Sequence, residues 1–208
     1  MAKPFLTDAA KQALSGAVRD VESCCSAELV IAVRARSGSY LHADLIAGIT
    51  AALAVLAGLL FSPWPFDLAW FVLDPLLAGA LAAFLASRLP AVRRALTFQP
   101  VRRRLVETAA RATFVEKGIH RTTGRTGVLI YISLLEHEAA VIYDLGVETL
   151  ATTDGWRLTV EEIEEAVRRG EDGVALALLV RALGDVLAPA LVRSADDVDE
   201  LANEVSES

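Results

Sequence analysis

The chain has 208 residues, 54% hydrophobic and 23% charged, with a mean hydropathy of +0.43 and a formal net charge of −7. It is long enough for one ordinary domain and more apolar than most soluble chains, so part of it needs a nonpolar environment. Its two cysteines, Cys24 and Cys25, are neighbours in sequence, a spacing that argues against a disulfide framework and a thiolate metal cage and agrees with a reducing compartment.

The start, MAKPFLTDAAKQ, has no apolar signal core or small-residue cleavage site, so the N-terminus is expected in the cytosol. The next stretch puts Leu14, Ala17, Val18 and Val21 on one helical face, with Thr7 or Asp8 as the cap. Glu28 to Ala35 is a short apolar run of strand type. One helix and one strand cannot bury their apolar faces alone, so their partners must lie further along the chain.

Two long apolar runs follow, Leu45 to Phe61 without a charge and Leu68 to Ser87 with only Asp74. Each approaches the roughly 20 residues needed to span about 30 Å of hydrocarbon, and together they predict a transmembrane hairpin over 41–90. Pro63, Trp64 and Pro65 form its tip, with Trp64, Phe66 and Trp70 suited to the bilayer interface. The tip lacks Lys and Arg, whereas Arg34 and Arg36 precede the first apolar run and Arg88, Arg93, Arg94, Arg102, Arg103 and Arg104 follow the second. The positive-inside rule therefore puts both flanks and both termini in the cytoplasm of a bacterial inner membrane. Asp74 is the one intramembrane acid; because Pro75 follows it, it reads first as a helix cap, ahead of a helix–helix contact or an ion-conducting role. Gly48, Gly58 and Gly79, with many alanines, permit close packing of the two helices or of a second copy.

Beyond the hairpin, Arg93, Arg94, Arg102, Arg103 and Arg104 sit where cations gain from anionic lipid headgroups. Val101 to Lys117 reads as a basic helix, followed by the turn-rich GIHRTTGRTG. That loop departs from a nucleotide-binding Walker loop in glycine spacing, in having Arg125 for Lys, and in leading into a strand. His120, Arg121 and Arg125 are its candidate anion-binding residues. VLIYISLLEHEAAVIYDLGV predicts an antiparallel hairpin turning at Glu136 to Glu138. Asp144, Glu148 and Asp154 group near its end as the candidate ligands for a divalent cation, the one cofactor the chain suggests. Thr159 is the expected cap of a helix to Arg168, and Val174 to Leu191 is a long apolar helix. The acidic segment 195–208 is expected to be a flexible tail. No local nucleophile–base motif identifies a catalytic residue, and no aromatic-interleaved basic surface points to nucleic acid.

These pieces predict an α/β fold, a small sheet flanked by helices in a discontinuous domain, 1–40 and 91–194, with the hairpin inserted after the first strand. The segments ALSGAVRDVESCCSAELVIAV, FVEKGIHRTTGRTGVLIYISLLE, AVIYDLGV and EEAVRRGEDGVALALLVRALGDVLA resemble the TPM-domain family, named partly for a thylakoid lumen protein, and especially its membrane-anchored bacterial members. The resemblance implies a compact α/β sandwich and a role in assembling or modulating membrane-protein complexes. A phosphatase-like hydrolase is the alternative it implies. YDLGVE stands where the family has Gly-x-Gly followed by Glu, and CCSAE where Thr-Gly often precedes the first strand; the first departure weakens transfer of a metal or phosphatase site.

Overall fold

The computed structural model describes residues 5–193 and the backbone of 206 and 207. Helix α1 (Asp8–Cys24) begins where the sequence places it, because the Thr7 hydroxyl accepts the Ala10 N–H at 3.1 Å. Its Leu14, Ala17, Val18 and Val21 are all buried. Strand β1 (Glu28–Arg34) follows, then α2 (Leu41–Leu60), α3 (Trp70–Arg88), the short α4 (Pro90–Ala95) and α5 (Gln99–Glu116). A one-turn 3-10 segment at Ile119–Arg121 leads to β2 (Gly127–Ser133) and β3 (Glu138–Tyr143). Helices α6 (Glu148–Ala151), α7 (Asp154–Arg169) and α8 (Gly173–Leu187) complete the helical set.

The chain divides into two units, 1–37 with 102–208, and 38–101. In the first, β2 is central: it pairs parallel with β1 (Val30 opposite Leu129) and antiparallel with β3 (Ile130 opposite Val141). Backbone at Ser206–Glu207 adds a two-residue strand, β4, parallel to β1 at Ala32 and Val33; the rest of the acidic segment 195–208 lies outside the described residues. Period-two alternation sends Leu29, Ile31, Val33, Val128, Ile130 and Ile132 to one face, where they pack with α1, α7 and α8. Val30, Ala32, Leu129 and Tyr131 go to the other, against Val106, Ala110 and Phe114 of α5. Burial on both faces explains why β1 and β2 read as continuous apolar runs rather than alternating ones. The expected α/β class, with a small mixed sheet flanked by helices, is what the chain forms.

In the second unit, α2 and α3 cross where glycine meets glycine. A Cβ on Gly48 would stand 2.9 Å from the Gly79 carbonyl oxygen, and one on Gly79 would stand 3.0 Å from that of Gly48. Ala52 and Ala83 lie one turn further along and keep the approach close. Both helices are long and apolar enough to cross a membrane, with most of each exposed. Between them Trp64 is 74% exposed at the tip.

Two helix starts differ from expectation. Helix α3 begins at Trp70, so Pro75 lies inside it and Asp74 is not its cap; Pro75 is the sixth residue of the helix, past the turn whose N–H groups lack helical acceptors, so it has no N–H to give the Phe71 carbonyl four residues back. Helix α7 begins at Asp154, capped by the Thr153 hydroxyl on the Trp156 N–H at 3.3 Å. Thr159 instead turns its hydroxyl onto the Gly155 carbonyl inside the helix, 3.0 Å away.

Candidate functional site

The glycine-rich loop and the end of β3 are brought together by hairpin register. Val128 faces Tyr143, the Asp144 N–H donates to the Gly127 carbonyl at 3.0 Å, and the Gly146 N–H donates to the Arg125 carbonyl at 2.8 Å. Arg125 takes a left-handed backbone, φ 53°, and lays its guanidinium on Asp144: Nε to Oδ2 at 2.7 Å and Nη2 to Oδ1 at 2.8 Å. Oδ1 also accepts the Leu145 N–H at 2.8 Å. The Arg125 fork, aided by that N–H, holds the Asp144 carboxyl below the usual carboxylate range. No Cβ fits on Gly146, which lies against the Gly124 and Arg125 carbonyls.

Of the three candidate anion-binding residues, Arg125 is thus committed to Asp144. Arg121 is exposed, and His120 is half-buried with no hydrogen-bond partner on its Nδ1. The candidate metal ligands do not converge: Asp144 is buried against Arg125, Glu148 is exposed in the first turn of α6, and Asp154, exposed in α7, pairs with Arg157 at 3.1 Å. Among the described residues no three His, Cys, Asp or Glu side chains gather as a metal cage. Asp74 is half-buried on α3.

The arginines expected to form a lipid-facing cluster divide their roles. Arg93 makes a bidentate pair with Asp44 of α2, Nε to Oδ1 at 3.0 Å and Nη2 to Oδ2 at 2.7 Å. With His42 Nε2 and the Thr97 hydroxyl 3.2 Å apart, this pair closes the base of the hairpin. Arg103 reaches Glu107 at 3.2 Å and Glu164 of α7 at 3.6 Å. Burial raises the Glu164 pKa, with Arg103 and Arg168 opposing it. Arg94 and Arg102 are half-buried and Arg104 is exposed.

Sequence reasoning missed a second polar cluster, at the carboxyl ends of the parallel strands. The Ser37 hydroxyl donates to Ser133 Oγ at 2.7 Å, and Ser133 donates to Glu136. The Ser37 N–H donates to the other Glu136 oxygen at 2.8 Å, and Tyr131 Oη lies 3.1 Å from Ser37 Oγ. Glu136 and Ser133 are both fully buried. The clue was in the pairing: Arg34 faces Ser133 in the β1–β2 register, which sets the residues after β1 beside the hairpin turn.

No family model matches the sequence, and no curated protein aligns with it. A solved structure does share its fold: the NMR structure of the BA42 protein from the psychrophilic bacterium Bizionia argentinensis superposes with a TM-score of 0.59 at 18% identity, over 100% of this chain and 99% of that one. At that identity the likeness speaks for the fold alone.

Proposed function

We propose that this protein is a membrane-anchored binding or assembly module, a TPM-like α/β domain on the cytoplasmic face of a bacterial inner membrane that acts on a membrane-protein complex. The observation that carries the reading is the hairpin. Leu53, Leu76, Leu77 and Leu81 are each 59–67% exposed on helices that bury little besides their glycine crossing. An apolar surface so extended is unfavourable in water by roughly 25 cal/mol per Å², and a bilayer covers it. The absence of Lys and Arg from the tip, against the arginines that follow α3, favours cytoplasmic flanks. The family-like sequence segments and the fold shared with BA42 support the TPM-like assignment.

The hydrolase alternative is not favoured by the geometry near Asp144, since Arg125 takes both of its oxygens. The test is to solubilise tagged protein gently from native membranes and identify what accompanies it. A stoichiometric membrane-protein partner is expected. A solitary protein that hydrolyses phosphate esters, and loses that activity with Asp144→Ala, would overturn the assembly reading in favour of the hydrolase.

A further inference from the structure

A pocket of about 250 Å³ opens beside the buried hydroxyl cluster, between the carboxyl end of the sheet and the last turns of α5; Arg34, Arg36, Ser37, Thr113, Glu116 and Tyr131 line it. Crevices at the carboxyl ends of parallel strands are where open α/β sheets bind ligands.

The direction of the hydrogen bonds defines what this pocket offers. Ser133 spends its proton on Glu136 and Ser37 spends its own on Ser133. A serine hydroxyl has one proton, so Tyr131 is the donor in the Tyr131–Ser37 contact. All three protons run toward the buried carboxylate, and Tyr131 Oη keeps only lone pairs for the pocket. Glu116, exposed at the end of α5, adds an acceptor-only carboxylate. One side of the pocket therefore calls for N–H donors. Arg36 brings a guanidinium, which is a donor only and matches phosphate oxygens. Among the described residues no ion pair joins Glu116 to Arg36, so these two opposite charges line one pocket without cancelling by direct contact.

We propose that this pocket binds a zwitterion, a phosphoethanolamine group whose ammonium faces Glu116 and Tyr131 and whose phosphate faces Arg36. Such a group has two sources, the headgroup of a membrane lipid and a free phosphoethanolamine ester. The lipid source rests on the membrane-anchor reading: only Gly38, Ser39 and Tyr40 separate Ser37 from Leu41, the first residue of α2.

The test uses the full chain reconstituted in nanodiscs of phosphatidylcholine containing equal minor fractions of phosphatidylethanolamine and phosphatidylglycerol. Retained lipid is read by native mass spectrometry after transfer to detergent. In parallel, detergent-solubilised protein is titrated with glycerophosphoethanolamine, glycerophosphocholine and glycerophosphoglycerol. The ethanolamine form is expected to be preferred by about tenfold, because the choline form has no N–H to donate and the glycerol form has no cation. Arg36→Gln and Glu116→Gln, both at exposed side chains, are each expected to remove most of that preference while leaving the melting temperature unchanged. Selective retention from nanodiscs alone supports the proposal with the lipid as source; selective binding of the soluble ester supports it with a free source. Equal binding of all three headgroups, binding of none, or variants that bind like the wild type would overturn it. If alkaline carbonate strips the protein from membranes while the soluble ester still binds, the anchor reading fails and the pocket stands. If the protein stays in carbonate-washed membranes but shows no headgroup preference, the anchor stands and the pocket proposal fails.

Discussion

At the scale of single residues, the adjacent cysteines part company. Cys24 is exposed at the end of α1, whereas Cys25 is buried, and burial pushes its pKa up to about 11. At neutral pH the buried thiol is almost wholly protonated and screened from reagents, so it reacts slowly on two counts. A water-soluble maleimide is expected to label one thiol per native chain, at Cys24, and two in denaturant; peptide mapping that finds Cys25 labelled in the native protein would contradict this. The Arg125–Asp144 pair makes a pH-dependent prediction. Its folded carboxyl titrates below the ordinary aspartate value of about 3.9, so its contribution is complete above that value and is lost as the pH falls through the folded pKa. In Arg125→Asn, a residue that tolerates left-handed backbone, the Asp144 carboxyl should titrate higher in a carbon-detected NMR titration. The same variant should unfold at a higher pH in acid.

At the scale of elements, the strands and α1 were legible in the sequence because their signals are local: the apolar runs of β1 and β2, the period of α1, and the Thr7 cap. The start of α7 was harder to read, since Thr159 and Glu162 imitate a capping box within a segment whose earlier Thr153 also fits as a cap. The pairings that build the polar sites were not legible as sequence motifs. Asp44 and Arg93 lie 49 positions apart, and Ser37 and Glu136 lie 99 apart; each pair meets only after register and helix packing are decided. Small residues invite an element-scale test. Gly48→Val drives a side chain into the Gly79 carbonyl, an overpacking expected to cost about 1–3 kcal/mol, read as a lowered melting temperature in detergent. Gly58→Val, with nothing within 4 Å of its Cβ, should melt like the wild type.

At the scale of the whole molecule, the membrane-anchor reading makes its own demand on topology. Single cysteines placed in 62–66 in a background lacking Cys24 and Cys25 are expected to react with an impermeant reagent added outside intact cells. One placed at position 104 should react only after the inner membrane is opened. Labelling of position 104 from outside would reverse the orientation, and protein released by alkaline carbonate would remove the anchor altogether.

The insertion of α2 and α3 between β1 and its partner strand also shapes the order of events during synthesis. Val30 pairs with Leu129, 99 residues downstream, and a ribosome adding about 5–20 residues per second takes roughly 5–20 s to cover that interval. Through it β1 lacks its partner strand while its apolar residues emerge from the exit tunnel. The hairpin is complete long before β2 exists, so a chain anchored as proposed would reach the bilayer before its globular part can close. On that anchor reading, delivery to the membrane comes first and folding of the sheet second. A delay in targeting would leave β1 and both apolar helices exposed together, and aggregation of the unfinished chain becomes the hazard that timely insertion prevents.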